Sequence, residues 1–493
     1  MYTQQSSYRQ IVKATSLFGG VQLFNILVSI VRSKFIAVLL GPFGMGIAGL
    51  LSSTLSFVGS LTNFGLGTSA VRDIASANET GNEERIAKVI SVLRKWVWIT
   101  GLLGMVITII LAPWLSHITF RNNEYTVAFI LISVTLLFNQ LSSGQGALLQ
   151  GMRRLKYLAK AGIVGSIFSL ITTIPLYYFY GVEGIVPAII ITTLASLIIN
   201  WHYTNKINIK TVQVTFAEIL SEGKLMLQMG YMISLSGLIS VGVAYIIRIF
   251  ISNKGNVDQV GLYNAGFAII NTYVGMVFTA MGQDYYPRLS AVAYSNKLCK
   301  KTINEQAEIA ILILAPIILI FLVFINFVVV ILYSKRFIGV NDMIHWAALG
   351  ILFQAASWSI SYLLLAKGAS NLFFWNELIA AAYMLGLNVL GYYLWNLTGL
   401  GIAFLITYIF YLGHMYLLTK IKYNFSFGRQ FYRIFSIQIL LAVGCFSLVK
   451  FFGNTQSYIG GTLFIIASSV FSYKELDKRL DLKSLFVSLR GRF

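Results

Sequence analysis

Charged side chains are scarce in this chain of 493 residues: Asp, Glu, Lys and Arg make up 11% of it, whereas 57% is hydrophobic. An ordinary soluble domain has roughly a quarter charged residues. Apolar runs of about 20 residues, the length that crosses the hydrocarbon layer of a membrane, recur from Ala14 almost to the C-terminus. The composition therefore predicts an all-α polytopic membrane protein with no separate soluble domain.

Cysteine is almost absent. Cys299 and Cys445 are the two in the chain, which excludes a disulfide framework and a Cys-rich metal site. The sequence also has no H-E-x-x-H, G-x-S-x-G or Walker A motif and no clustered His or Cys. We therefore expect no catalytic residue, no metal and no cofactor, and an ATP-driven pump would need partner subunits.

The apolar runs predict about fourteen transmembrane helices, separated by short polar breaks. The predicted spans are Ala14–Leu39, Met45–Phe64, Val89–Leu111, Tyr125–Ala147, Ala161–Tyr178, Ile185–Trp201, Met229–Ile251, Gly261–Tyr285, Ile309–Leu332, Met343–Ala366, Leu372–Tyr393, Gly399–Leu418, Ile434–Val449 and Tyr458–Tyr473. Outer breaks are short, so an enzyme with a substantial outer catalytic loop is not expected.

The net charge of +20 is distributed unevenly over the breaks. Most of the 37 Lys and Arg residues fall in alternate breaks, including the Arg153–Lys160 cluster, the Arg288–Lys301 stretch and the basic tail Lys474–Arg492. Cytoplasmic loops carry such an excess of basic residues, which also lie close to anionic lipid. The pattern places both termini in the cytoplasm and explains the charge without nucleic acid.

A weak internal repeat organises the spans. Ser29-Ile-Val-Arg32 recurs as Tyr245-Ile-Ile-Arg248, and Arg72 recurs as Arg288 at the same separation. The copies are offset by six spans, and an even offset keeps the orientation, so the halves would be parallel repeats about an axis along the membrane normal. We expect lobes at 1–205 and 206–424, then two helices and a basic cytoplasmic tail at 425–493.

Polar residues follow one face of the first span. Gln22, Asn25, Ser29 and Arg32 are spaced as neighbours along a helix, so the stripe should face the protein interior. An arginine in apolar surroundings costs at least about 2.5 kcal/mol on insertion scales, which favours a wet, cationic cavity for Arg32 and Arg248. The alternative is that both arginines extend to the outer interface.

Five further charged residues are candidates for a structural or functional role. Asp284 and Arg288 are four residues apart, so they are expected to form an ion pair at a helix end, and the functional alternative is a cytoplasmic gate that includes Arg72. Glu377 is the most isolated carboxylate within a span. Its carboxylate could couple transport to a proton or sodium ion. A structural ion pair with Lys367 is an equally good alternative.

Four stretches of the chain carry a resemblance that runs across nearly all of it. They are LLGPFGMGIAGL (Leu39–Leu50), DQVGLYNAGFAIINTYVGMVFTAMGQDYYPRLS (Asp258–Ser290), LYSKRFIGVNDMIHWAALG (Leu332–Gly350) and YLLLAKGA (Tyr362–Ala369). The chain resembles Wzx-type O-antigen and enterobacterial-common-antigen flippases, which share a superfamily with multidrug extrusion proteins and lipid II flippases.

The resemblance implies two six-helix lobes around a central cavity, two C-terminal helices and alternating access. It also implies that the chain transports undecaprenyl-pyrophosphate-linked repeat units across a bacterial inner membrane, beside membrane lipids and with H⁺ or Na⁺ as a coupling ion. Polymerase and chain-length proteins would be its partners. A cation-coupled multidrug antiporter and, from another class, a polysaccharide polymerase or ligase are the alternatives.

Overall fold

The computed structural model describes residues 21, 24–207, 212 and 214–480, and every regular element among them is helical. Helix α1 covers 24–39. The other helices are α2 Gly41–Thr62, α3 Leu66–Glu79, α4 Glu83–Phe120, α5 Thr126–Gly151, α6 Leu155–Tyr180, α7 Ile185–Asn205, α8 Phe216–Lys254, α9 Val257–Ala268, α10 Gly275–Ala291, α11 Asn296–Leu332, α12 Asn341–Ala366, α13 Ser370–Tyr423, α14 Arg429–Phe451 and α15 Asn454–Leu480. A π-helical turn, Ile269–Val274, joins α9 to α10.

Ten helical stretches of the described chain are long and apolar enough to span a membrane. Two of them reverse direction. Leu155–Asn205 turns at Gly181, whose φ of +55° and ψ of −130° suit glycine. α13 breaks at Trp395 and Asn396, where the backbone is not helical. A Cβ on Gly399 would lie 1.7 Å from the carbonyl oxygen of Gly391. Eight steps of straight helix would separate these two residues by about 12 Å, so the chain reverses between them.

The all-helical polytopic fold is therefore confirmed. The ten stretches supply twelve crossings once the two reversals are counted, and α1 and α15 correspond to the first and the fourteenth predicted spans. One helix was not predicted. α3 is a short amphipathic helix between the second and third spans, and its apolar face buries Leu66, Ala70 and Ile74.

The chain divides into two compact units, Met1–Gly261 and Leu262–Phe493. In the first unit α5 packs against α4 and α7, α6 packs against α7, and α8 lies along α2, α3 and α4. A buried cluster that includes Ile74, Leu93 and Leu148 joins α3, α4 and α5 at one end of the unit. This end also carries the Arg153–Lys160 cluster, and we call it the basic end.

In the second unit α11 and α12 form the centre. α11 contacts α12, α14 and α15, and α12 lies along α13. Fully buried residues recur along α11 at helical spacing, as at Ala307, Ile311, Leu314 and Ile318, because neighbours cover this helix on several sides.

The boundary between the two compact units differs from the predicted boundary between the lobes. α8 belongs to the first unit by its packing, whereas the predicted lobe boundary lies at 205/206. A transporter lobe is defined by the helices that move together. The lobes 1–205, 206–424 and 425–493 therefore stay a prediction.

Candidate functional site

The predicted stripe on α1 lines a cavity of about 460 Å³ inside the first unit. Asn25, Ser29 and Arg32 all contribute to its lining, together with residues of α5, α6 and α7. Gln22, the remaining predicted member, lies outside the described residues. Helical spacing placed these side chains on one face, and the structure shows that this face opens onto a polar space.

α6 makes room for the cavity by presenting small residues. Gly162, Gly165, Ser166 and Ser169 line it at spacings of three and four, so one face of α6 carries no bulky side chain there. The Oγ of Ser166 donates to Oδ1 of Asn25 at 2.7 Å. Nη1 of Arg32 donates to Oγ of Ser169 at 3.2 Å, so both contacts tie the α1 stripe to α6.

α7 completes the wall with hydroxyl and amide groups. Thr192 and Thr193 line the cavity, and each donates its hydroxyl back to the α7 backbone, at Ala188 and Ile189. Their oxygens keep acceptor capacity toward the cavity. Asn200 also lines the cavity and is held by a 2.8 Å bond from its Nδ2 to Oγ of Ser142.

A second polar cavity, of about 520 Å³, adjoins the first, since Asn139 and Thr193 line both. Ser52, Ser56 and Ser60 of α2 contribute at intervals of four residues. None of these residues was predicted to have a role. The periodic serines were a usable signal, but the sequence does not show which helices their face meets.

Among the described residues that line the 460 Å³ cavity, Arg32 is the one with an ionisable side chain. The rest of the lining consists of hydroxyl, amide and small apolar groups. Such groups hydrogen-bond sugar hydroxyls, and a guanidinium binds phosphate oxygens through two parallel N–H groups. The cavity can therefore take a neutral polyhydroxylated group beside an anion.

The predicted partner of Arg32 lies elsewhere. Arg248 is on α8, where its Nη1 donates to the carbonyl oxygen of Ala244 at 2.8 Å. It does not belong to the lining of the 460 Å³ cavity. The structure thus brings Asn25, Ser29 and Arg32 together without Arg248, whose substrate contact stays a prediction.

The predicted gate charges each have a local partner. Arg72 bonds to the adjacent Asp73 at 3.0 Å. Nε of Arg288 lies 3.7 Å from Asp284, and its Nη2 donates to Gln306 of α11 at 2.9 Å. The expected helix-end ion pair between Asp284 and Arg288 is present, and a gating role for these residues stays a prediction.

Of the two alternatives for Glu377, the one that predicted an ion pair with Lys367 is wrong. Lys367 follows the end of α12, and its Nζ donates to the Ala293 carbonyl and, at 2.7 Å, to Oδ1 of Asn296. Oε1 of Glu377 instead accepts from the Tyr411 hydroxyl at 2.8 Å. The reversal of α13 brings these two residues together although they are 34 positions apart.

Around Glu377 the two limbs of α13 enclose a cluster of polar side chains. Tyr408, beside Tyr411 in this cluster, accepts from Nε2 of Gln354 at 2.8 Å. Four buried atoms of the α13 limbs have no hydrogen-bond partner among the described residues, and they are Oδ1 of Asn376, the Tyr383 hydroxyl, Oγ1 of Thr407 and Nδ1 of His414. Buried polar groups of this kind call for a proton, a water or an ion.

The family model described as "Polysaccharide biosynthesis protein" matches residues 35–342, which is more than half of the chain. The chain belongs to this family. A Shigella flexneri relative named "Putative O-antigen transporter" is 24% identical over 339 residues, covering 67% of this chain and 78% of the relative. The "Lipid III flippase" of Escherichia coli (strain K12) is 21% identical over 368 residues, covering 73% and 86%.

Two solved structures share the fold of this family member. An inward-facing multidrug resistance transporter of the MATE family aligns with a TM-score of 0.69 at 15% identity, over 81% of this chain and 94% of that one. The lipid II flippase MurJ in an inward closed conformation also aligns with a TM-score of 0.69, at 13% identity, over 95% and 99%. The multi-pass membrane fold expected from the sequence is thereby confirmed.

Proposed function

We propose that this chain is a flippase that moves undecaprenyl-pyrophosphate-linked oligosaccharide repeat units, of O-antigen or a similar surface polysaccharide, from the cytoplasmic to the periplasmic leaflet. Its family and the names of its relatives support a transporter in polysaccharide biosynthesis. Alternating access is the transport mode that we infer, with polymerase and chain-length proteins as partners downstream.

The 460 Å³ cavity is the observation that carries the proposal. A lipid-linked repeat unit combines many hydroxyl groups with a pyrophosphate, and the cavity combines hydroxyl and amide side chains with the guanidinium of Arg32. A drug antiporter for cations would favour a carboxylate there, because a buried cation needs a negative partner. A polymerase or ligase would need catalytic residues, and the described residues of this lining include no candidate base and no nucleophile activated by a base.

The membrane orientation follows from the charge pattern. We propose that both termini and the basic end of the first unit face the cytoplasm of a bacterial inner membrane. Single cysteines introduced at Asn123, between α4 and α5, and at Lys156, early in α6, test this in a chain with Cys299 and Cys445 changed to Ala. An impermeant thiol reagent should label position 123 in intact cells and position 156 only after lysis, and the reverse pattern would invert the assignment.

We also propose that Glu377 couples transport to an ion. Its carboxylate lies among partly buried tyrosines and unpartnered polar atoms of the described chain, where a proton or Na⁺ would compensate its charge. Lys367 has no part in this proposal, because it binds Ala293 and Asn296.

The proposed function is tested by glycan display on the surface of a flippase-null strain. Wild type should restore display, and Arg32→Ala should lower it about tenfold or more at equal membrane abundance, because a charge-assisted hydrogen bond contributes about 1.5–3 kcal/mol. Arg32→Lys should retain part of the activity, since it keeps the charge but not the paired N–H groups. Arg153→Ala is the matched control, because Arg153 is 73% exposed and pairs with the exposed Glu79.

Each outcome of this experiment separates one alternative. A wild-type chain that leaves repeat units on the inner leaflet of its native host would contradict the flippase. Display of single, unpolymerised units in a polymerase-null strain would support a flippase over a polymerase. If Arg32→Ala restores display as fully as Arg153→Ala, the cavity does not act through its cation. Arg248→Ala, tested in parallel, shows whether that arginine contributes at all.

A further inference from the structure

A third concave surface of the first unit is a groove on α4, α5 and α7, with a volume of about 540 Å³. It shares no lining residue with the two polar cavities. Most of its lining is apolar: Leu93, Val97, Trp98, Leu141, Leu148, Leu197, Ile198 and Trp201. Trp98, Ile198 and Trp201 are each about half exposed, so the groove opens at the surface of the unit.

The polar residues of the groove lie toward its basic end. Arg94 precedes Trp98 by one helical turn on α4, and Asn205 is the last residue of α7. The apolar residues extend from there along the helices, and the eight helical steps from Leu197 to Asn205 span about 12 Å. The groove is therefore amphipathic along its length, with a cation at one end and an apolar channel leading away from it.

Two polar groups in the groove lack a protein partner. Arg94 is half-buried and makes no ion pair or hydrogen bond with any residue that the structure describes. Oε1 of Gln145 is buried in the groove lining and likewise has no partner in the described ranges. A half-buried guanidinium calls for an anion, and a buried amide oxygen calls for a donor.

We propose that this groove binds an anionic membrane phospholipid. Its phosphate would pair with Arg94, a headgroup hydroxyl would donate to Gln145, and an acyl chain would lie along Val97, Leu141 and Leu197. Tryptophan is enriched where hydrocarbon meets headgroups, and Trp201, which lines the groove, is the last residue of the predicted span Ile185–Trp201. Arg94 supplies the charge complementarity that selects an anionic lipid over a zwitterionic one. The proposal does not depend on the transport function.

Lipid binding to the purified full chain tests this proposal. The chain is stripped of lipid in detergent and titrated with dioleoyl phosphatidylglycerol or dioleoyl phosphatidylcholine, and native mass spectrometry counts the bound lipids. We expect one phosphatidylglycerol to bind more tightly than the rest, and Arg94→Gln to weaken it about tenfold, as for loss of one charge-assisted hydrogen bond.

Lys95→Gln is the matched control, because Lys95 is the adjacent cation, is exposed and does not line the groove. It should leave the tight lipid bound. Ile198→Trp fills the apolar part and should weaken the same lipid while Arg94 is intact. Equal loss from Arg94→Gln and Lys95→Gln, or equal binding of both lipids, would overturn the proposal. So would undecaprenyl phosphate displacing phosphatidylglycerol at equimolar concentration, since the groove would then hold the carrier lipid.

Discussion

The two units treat their membrane-embedded and interfacial polar groups differently. In the first unit Asn25, Ser29 and Arg32 face an open cavity, and Asn25 and Arg32 each share one hydrogen bond with α6. In the second unit the carboxylates of Glu308 and Glu475 are 7% exposed, and Arg479 bonds to both. The polar groups of the α1 stripe are thus available to a ligand, whereas Glu308, Glu475 and Arg479 hold α11 and α15 together.

The difference arises because the charges of the Glu308–Glu475–Arg479 cluster are largely buried, whereas the α1 stripe faces an open cavity. A buried charge is tolerated when another charge and further hydrogen bonds compensate it, and removal of one partner leaves the other uncompensated. A hydrated group keeps water as its alternative partner. Substitutions in the Glu308–Glu475–Arg479 cluster should therefore cost stability, and substitutions in the α1 stripe should cost transport. Four experiments test this contrast.

Arg479→Ala should cause the largest loss of stability. It leaves Glu308 of α11 and Glu475 of α15 buried without their shared cation, which costs about 3–5 kcal/mol. Thermal unfolding of the purified chain in detergent measures the effect. Arg433→Ala is the control, because Arg433 is 65% exposed and lies 3.9 Å from the same Glu475, so its loss should cost at most about 1 kcal/mol. Equal shifts in Tm would refute the contrast.

Acid should weaken the same cluster. Hydrogen bonds from Arg479, and then from Lys478, lower the pKa of Glu475 below its ordinary 4.5. The carboxylate therefore contributes its full stabilisation above pH 4.5 and loses it as pH falls through the lowered pKa. Tm should stay level above that pH and decrease below it. In the Glu475→Gln variant the decrease of Tm with acid should be smaller than in the wild type. Glu305→Gln is the control, because Glu305 is half-exposed, and its decrease should match the wild type. If the Tm of Glu475→Gln fell with pH in parallel with the wild type, the cluster would not be the source of the acid effect.

Glu377→Gln should have a smaller effect on stability. The amide oxygen still accepts from Tyr411, so we expect a loss of about 1 kcal/mol or less. Flipping of lipid-linked oligosaccharide in proteoliposomes should lose its dependence on an imposed proton or sodium gradient. Glu124→Gln, at the turn between α4 and α5, controls for loss of a carboxylate. Gradient dependence that survives Glu377→Gln would place the coupling elsewhere.

Ser169→Ala should have the smallest effect on stability, below about 0.5 kcal/mol, because it removes one 3.2 Å bond to an exposed guanidinium. Glycan display should nevertheless fall, since Arg32 loses the group that orients it. The comparison of Tm with display at equal abundance distinguishes the two effects. A Tm loss as large as that of Arg479→Ala would show that the α1–α6 contact is structural after all.

Local periodicity predicted one side of the candidate site. Asn25, Ser29 and Arg32 lie on one helix, whose geometry relates neighbours at three and four residues without reference to the rest of the fold. The opposite walls were not predicted, because Ser166 and Asn200 become part of a site only when α6 and α7 turn the right faces toward α1. Arg248 failed to join them because a repeat in sequence does not fix which way a long side chain points.

The sequence by itself determined the membrane class, the crossings and the polar stripe of α1, because hydropathy and helical period are properties of single segments. Only the tertiary structure decided which residues bond to the charged side chains. Glu377 meets Tyr411 rather than Lys367 because α13 reverses at Trp395 and Asn396, and Glu308 meets Arg479 because α15 packs on α11. Such contacts depend on how distant helices pack, which no single segment encodes.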